Sequence, residues 1–209
     1  MARGGPATPR GDEPAGSYHH GDLRRAMIAA ALELVSEKGP QGFTMTEAAK
    51  RAGVSAAAPY RHFAHKDALL AEVADHGFGL LSTKLDRIAG GHQDPRERLL
   101  ALARGYVRWA VAHPDYYRVM FVEHGAGELR PAGRRSFLAL VGAIEACQTA
   151  ELIRRQDPLA VAGPMWSLVH GAALLRITGR LRAVGVGENA EELAARSIAA
   201  LLDSPAIAP

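Results

Sequence analysis

The sequence predicts an all-α fold, with an N-terminal three-helix unit followed by a larger C-terminal helical body. Three observations carry this. Apolar residues recur at helical spacing, as in Leu23, Met27, Ile28, Ala31, Leu32, Leu34 and Val35, which is the pattern of a helix with one buried face. The gaps between such stripes hold helix punctuation, namely Gly39-Pro40, Gly90-Gly91, Asp94-Pro95 and Asp157-Pro158, residues that end helices or cap and open them. No segment alternates apolar and polar residues with the period of two that a strand requires.

Taken in order, residues 1–17 are rich in Gly, Pro and Arg. They lack the apolar run of a secretory signal and read as a disordered tail. The first helix is expected from Asp22 to Lys38. Thr44 and Glu47 then form a Thr-x-x-Glu capping box, in which each side chain satisfies a backbone N–H at the start of the next helix. Gly53 supplies the left-handed residue that ends it. Val54 plugs the gap, and Ser55 caps a third helix expected over Ala56–Phe63. Pro59 falls in that helix's first turn, where a missing N–H does least harm. Two caps around one glycine make a compact helix-turn-helix over residues 44–66.

Further along, Lys66-Asp67 opens a long helix through Leu69, Leu70 and Val73 past Leu81, ending at Gly90-Gly91. Asp94-Pro95 opens another to about His113. Pro114 breaks the pattern, and a short helix follows over 115–123. His124–Gly133 reads as a loop, Arg134–Arg154 as a long helix, and Asp157-Pro158 starts a helix to about Arg180. Val184-Gly185-Val186-Gly187 reads as a flexible turn before a last helix over Glu188–Leu202, and Ser204–Pro209 is expected to fray. The expected divisions are a tail over 1–17, a helix-turn-helix domain over 18–65 and a second domain over 66–204.

Composition narrows the function. Residues 1–66 carry nine Lys and Arg against six Asp and Glu, whereas residues 67–209 carry sixteen of each. The whole excess of +3 therefore sits on the helix-turn-helix end, where a DNA-binding surface needs it. One cysteine, Cys147, rules out an intramolecular disulfide framework and fits a reducing, cytoplasmic setting. Residues 158–175 hold no Lys, Arg, Asp or Glu, near the shortest length that spans a bilayer. Pro164, Gly163, His170 and Gly171 dilute the stretch, and a buried interface helix is the expectation.

A second helix laying its exposed residues in a DNA groove accounts for the type and order of residues in 44–66. Ser55, Ala56 and Ala57 are small enough to bring backbone close to base edges, and alanine methyls can touch thymine methyls. Arg61 shares a face with Ala56, Ala57 and Tyr60, and Tyr60, His62 and Lys66 are hydrogen-bond donors suited to phosphate oxygens, which position a protein without reading sequence; the alternative is two packed helices of an α-helical protein.

The run Tyr18-His19-His20-Gly21-Asp22-Leu23-Arg24, then Ala30-Ala31-Leu32-Glu33-Leu34, Gly39, Gly53-Val54-Ser55, Tyr60-Arg61-His62-Phe63 and Lys66-Asp67-Ala68-Leu69-Leu70 resembles the N-terminal domain of the TetR family of bacterial transcription regulators. In the body, Trp166-Ser167-Leu168-Val169-His170-Gly171 and His113-Pro114-Asp115-Tyr116-Tyr117-Arg118-Val119-Met120-Phe121 are similar to a TetR subgroup named for a Trp-His-Gly motif in its C-terminal domain. The resemblance implies a homodimer that binds double-stranded DNA at a palindromic operator and represses until a small molecule releases it. By motif position it places Thr44 and Thr46 at the start of the preceding helix as DNA contacts. It assigns Ser55, Ala56 and Ala57 to bases and Tyr60, His62 and Lys66 to the backbone. Ala58-Pro59 departs from the family's usual Thr-Leu. Arg3, Arg10, Arg24 and Arg25 are candidate arm contacts to an adjacent groove.

The body supplies Tyr106, Trp109, His113, Tyr116, Tyr117, Met120, Phe121, Met165, Trp166 and His170, aromatic residues with a few polar tips, as in small-molecule pockets. They imply a hydrophobic or aromatic ligand; the alternative is plain core. The apolar residues Leu159, Val161, Ala162, Leu168, Ala172, Leu175, Leu193, Ala194, Ile198, Leu201 and Leu202 exceed one subunit's need and predict a two-fold helical interface. Cys147 and His170 could be imagined as a nucleophile pair, but Cys147 sits mid-helix among Ala146 and Ile144, as a small hydrophobe does. Without a phosphate loop, a G-x-S-x-G turn or zinc-ligand spacing, no enzyme, metal or cofactor is expected. The rival reading is a ligand-independent or architectural DNA-binding protein.

Overall fold

A computed structural model describes residues 20–121, 131–187 and 189–209. The tail expected over 1–17, Tyr18, His19, Arg3, Arg10, Glu188 and most of the loop expected over His124–Gly133 lie outside them. The helices are α1 (His20–Lys38), α2 (Met45–Arg51), α3 (Lys66–Gly90), α4 (Pro95–Ala112), α5 (Pro114–Met120), α6 (Pro131–Thr149), α7 (Pro158–Ile177), α8 (Arg180–Ala183) and α9 (Ala190–Leu202), with a single 3₁₀ turn at Ala58–Arg61 between α2 and α3. No strand occurs among the described residues.

The head is α1, α2, the 3₁₀ turn and the first turns of α3. Met27, Leu34 and Val35 of α1 meet Phe43, Met45, Ala48 and Phe63, and all are buried with Leu69, Leu70 and Val73 of α3. The Thr44 cap forms as the residues require: Glu47 N–H donates to Thr44 Oγ1 at 3.2 Å and Thr44 N–H to Glu47 Oε2 at 2.8 Å. Gly53 takes φ +72°, and the chain turns so that Val54 N–H reaches Ala49 O at 3.0 Å. Ion pairs clamp α2 onto α1. Arg51 bonds Glu37 in two places, at 2.8 and 2.9 Å, and Glu33 at 3.1 Å, while Lys38 pairs with Glu47 at 2.6 Å.

α3 runs from the head into the body, so both share one continuous core. The body stacks α4 against α3, α6, α7 and α9. Its ends are tied down: Arg96 on α4 pairs with Asp203 at 2.9 Å, Arg104 with Glu192 at 2.9 Å and Arg108 with Glu191 at 2.7 Å. α7 is long and apolar enough to cross a membrane, but Val161, Ala162, Met165, Val169 and Ala172 pack it onto the body core.

Several expectations change, among them the helix expected over Arg134–Arg154, which stops at Thr149 just before Glu151 turns left-handed at φ +56°. Residues 56–63 do not make a full helix. Pro59 has no N–H to give, the turn closes with Ala58 N–H on Ser55 O and His62 N–H on Pro59 O, and no side chain caps it, Ser55 included. α3 is capped by His65, whose Nδ1 accepts from Ala68 N–H. The helix expected to reach Arg180 stops at Ile177, because Gly179 turns left-handed at φ +70°. The C-terminus does not fray: Ile207 is buried, Arg154 N–H donates to Ile207 O at 2.8 Å, and the Arg154 guanidinium donates to Ala208 O and Pro205 O.

Candidate DNA interface and ligand cavity

On the head, Thr46, Ser55, Ala56, Ala57, Tyr60 and Arg61 are exposed, Tyr60 at 55 %. Arg61 has no carboxylate partner among the described residues. An exposed tyrosine and an unpaired guanidinium beside three small residues form a surface able to approach a duplex and bond its phosphates. His62 is half-buried, its ring 6.4 Å from that of Phe63. Thr44 is committed to the capping box, its hydroxyl both accepting from Glu47 N–H and donating to Glu47 Oε2. Lys66 pins the start of α3 to the loop before α2: its ammonium donates to Gln41 O and Gln41 Oε1 and lies 5.3 Å over the Phe43 ring. With three donors on an ammonium, one is left for an outside partner. Arg24 is similarly engaged, with Glu72 at 2.8 Å and over the Phe63 ring, and Arg25 pairs with Asp22.

Two groups fix the charge of this surface. Lys38 and the Thr44 N–H and hydroxyl beside Glu47 hold its carboxyl down to about 2. Glu37 and Glu33 raise Arg51 above its already high ordinary value. The clamp is therefore fully ionised at neutral pH.

In the body, a cavity of about 410 Å³ opens between α3, α4, α6 and α7. Phe78, Leu81, Phe137, Leu140 and Trp166 wall it, with Tyr106, Phe121 and Ser136, and Gly133 and Gly163 leave it room; none of these ten is charged. A second void of about 30 Å³ continues inward past Tyr106, Ser136 and Leu140 to Leu85, Leu102, Met165 and Ile198. That size and lining suit a small, largely apolar molecule.

Beside the cavity lies a buried polar knot. The Tyr117 and Tyr106 hydroxyls converge on His170 Nδ1 at 2.8 and 3.2 Å, and Tyr117 also donates to His170 O at 3.2 Å. Burial, with Tyr117 adding to it, pushes the Tyr106 hydroxyl well above its ordinary value, against the Trp166 indole. Burial lifts Tyr117 to about 12 and pulls the His170 imidazole below 6.5. All three are thus neutral at physiological pH, and the knot ties α4, α5 and α7 together.

Of the residues expected at a pocket, Tyr106, Phe121 and Trp166 line the larger cavity and Met165 the inner void. Tyr117 and His170 form the knot. Trp109 and His113 do not join them. They stack on each other and on Tyr116, whose hydroxyl bonds His76 Nδ1 at 2.7 Å, and His113 is exposed. Met120 is buried against Gly77, where a Cβ would come within 2.8 Å of its sulfur. Phe78, Leu81, Ser136, Phe137 and Leu140 were not expected there. They belong to α3 and α6, whose stripes read as plain core. Cys147 is fully buried, its thiol pushed to about 11 by burial, which makes it a small hydrophobe rather than a nucleophile.

The apolar residues on α7 and α9 divide between two faces. Val161, Ala162, Ala172, Ala194, Ile198 and Leu202 are buried in the subunit's own core, contrary to the expectation that they form an interface. Leu159 at 56 %, Leu174 at 46 %, Leu168 and Leu175 are instead exposed, spread across the outward half of α7.

Comparison with known proteins agrees with this layout. Residues 27–73 match the family described as bacterial regulatory proteins, tetR family, and residues 99–201 match the tetracyclin repressor-like C-terminal domain. A solved structure from Rhodococcus sp. RHA1, of unknown function, is 31 % identical with TM-score 0.76 over 91 % of this chain and 97 % of that one. The TetR family regulator PfmR from Thermus thermophilus shares the fold at 20 % identity, TM-score 0.64, covering 86 % and 98 %. An HTH-type transcriptional repressor from Mycobacterium tuberculosis is 36 % identical over 83 residues. That alignment spans 40 % of this chain and 40 % of the relative's length.

Proposed function

Because the chain belongs to the TetR family of transcriptional regulators, we propose that it is a cytoplasmic homodimeric repressor of a palindromic operator, released by a small, mostly apolar or aromatic ligand. Residues 18–65 are the DNA-binding unit and 66–204 the ligand-binding and dimerisation unit. The observation that carries this reading is the continuity of α3. Its first turns are locked into the head through Leu69, Leu70, Val73 and the Lys66–Gln41 bonds, and two turns later the same helix walls the cavity with Phe78 and Leu81. A ligand that wedges these walls apart moves the head with them.

The dimer rests on the outward half of α7. Leu168 and Leu175, seven residues apart, line up on the exposed half of α7, with Leu159 and Leu174 elsewhere on that half and α9 alongside, and large apolar side chains left outside a subunit's core belong against a second copy. Two heads about one DNA turn apart then read an inverted repeat. A ligand shifts this only through unequal affinity for the DNA-competent and released spacings, and a 100-fold loss of operator affinity needs about 2.7 kcal/mol of coupling.

Selection of bound sequences from random duplex DNA at fixed, moderate salt tests the reading. An enriched inverted repeat is expected, and a library of neutral apolar compounds then contains members that release that duplex saturably. Binding without enrichment, or an operator complex that no compound weakens, overturns the repressor reading in favour of an architectural or ligand-independent protein.

A further inference from the structure

We propose that Arg176, Arg180 and Arg182, at the corner joining α7, α8 and α9, form a second phosphate-binding surface, by which the body grips the backbone of the DNA held by the head. The inference rests on the DNA-binding reading of the head and adds a contact from the other half of the molecule.

The corner lies at the body's head-facing end. Its groove of about 460 Å³ is lined by Arg176, Leu181, Arg182 and Asn189 together with Val111, in the last turn of α4, and by Glu191, whose carboxylate is held by Arg108 at 2.7 Å. α4 leads directly into α5, and α5 packs on α1 of the head. The opposite end of α4 meets Asp203 through Arg96, and that far end also holds the α6–α7 connection, where Gln148 bonds Gln156 O. α7 therefore runs toward the head, and its C-terminal corner is the part of that helix closest to where a bound duplex lies.

The three arginines at the corner are free of carboxylate partners among the described residues. Arg96, Arg104 and Arg108 on α4 each hold a carboxylate on or beyond α9. Arg176, Arg180 and Arg182 are all exposed, and none has a carboxylate partner among the described residues. Residues 176–187 contain these three cations and no Asp or Glu. The backbone sets them outward: Gly179 and Gly185 turn left-handed at φ +70° and +79° on either side, and the buried Leu181 anchors the short turn so that its two neighbours point away from the core. Exposed guanidinium groups that no carboxylate engages match phosphate oxygens, and duplex DNA presents two negative charges per base pair along its length.

The test compares full-length wild type with an Arg176→Gln/Arg180→Gln/Arg182→Gln variant on random-sequence duplex DNA across a salt series. The magnitude of the salt slope should fall by about 0.9 for each phosphate that the variant no longer neutralises. Affinity should drop similarly on any sequence, because phosphate contacts read no bases. The Lys triple variant should keep most of the slope. Arg155→Gln, exposed at the far end, is the control for net charge and should leave the slope alone. The three positions are exposed, so unchanged thermal midpoints are expected and verify folding. An unchanged slope in the Gln triple, or an equal fall with Arg155→Gln, overturns the proposal while leaving the head's DNA binding intact. Failure of the wild type to bind any duplex overturns both.

Discussion

The head and the body are built from the same helices-on-helices packing but solve different problems. The head spends its polar residues on fixing a surface. Thr44, Lys66, Arg24, Arg51 and Lys38 are all engaged within it, which leaves Tyr60, Arg61 and the small residues before them exposed on a rigid frame. The body gathers Tyr106, His170 and Tyr117 into one polar knot beside a cavity with no charged residue in its lining. A rigid, outward surface suits a partner of constant shape and charge, whereas an uncharged, incompletely filled interior suits a guest that displaces its walls. On that contrast, perturbing the head should abolish binding to DNA, and perturbing the knot should change the response to ligand instead.

The largest expected effect comes from Phe63→Ala. Phe63 is 2 % exposed and seals the head core under the Arg24 guanidinium, and emptying such a site costs about 3–5 kcal/mol. DNA binding should be lost while sedimentation still reports the intact body's assembly. Loss of that assembly as well would mean that the two parts fold as one unit. Next in size is Tyr60→Ala, which removes an exposed hydrogen-bonding group and a ring from the turn proposed to meet DNA. Affinity should fall by about 5-fold, the equivalent of roughly 1 kcal/mol, and by the same factor on unrelated duplexes. A loss confined to one sequence would make Tyr60 a base reader.

Tyr117→Phe is the matching change in the body. It deletes one hydroxyl of the knot and costs about 1 kcal/mol in thermal stability, with DNA affinity in the absence of ligand unchanged. The concentration of compound needed for release should shift, because α5, which bears Tyr117, also packs on α1 of the head. An unshifted release curve would confine the knot to packing.

The amino-acid order revealed the head better than the body for a physical reason. Caps, the Gly53 turn and the capping box act over three or four residues, so Thr44, Glu47 and Gly53 announce themselves. The failure within the head has the same origin: Pro59 was visible, but its removal of an N–H outweighed the helical spacing of its neighbours and shortened the turn to Ala58–Arg61. The cavity is assembled from residues far apart in the chain, such as Phe78, Ser136 and Trp166. Aromatic content drew attention to Tyr106, Phe121 and Trp166. Yet it drew the same attention to Trp109 and His113, which sit three and seven positions beyond Tyr106 and turn to stack on Tyr116. Nothing local distinguishes a helix face that lines a cavity from one that lines a filled core, nor the inward Val161 of α7 from the outward Leu159.

The smallest effect separates the two parts by pH. Burial holds the His170 imidazole below its ordinary 6.5, so the unfolded chain binds the proton more readily than the folded one. The body is then stabilised relative to acid only above that value and loses stability as pH falls from 6.5 through the folded value. Glu47 in the head is held down to about 2 from an ordinary 4.5, so its contribution is complete above 4.5 and disappears only between 4.5 and about 2. Acid should therefore loosen the body before it releases the α1–α2 clamp. Both tryptophans, Trp109 and Trp166, lie in the body, and their fluorescence against pH reports it directly. His170→Gln should flatten the upper limb of that titration and leave the lower one. Glu47→Gln should lower thermal stability at neutral pH and flatten only the lower limb, measured by circular dichroism. If His170→Gln leaves the upper limb unchanged, the knot is not where the body first yields to acid.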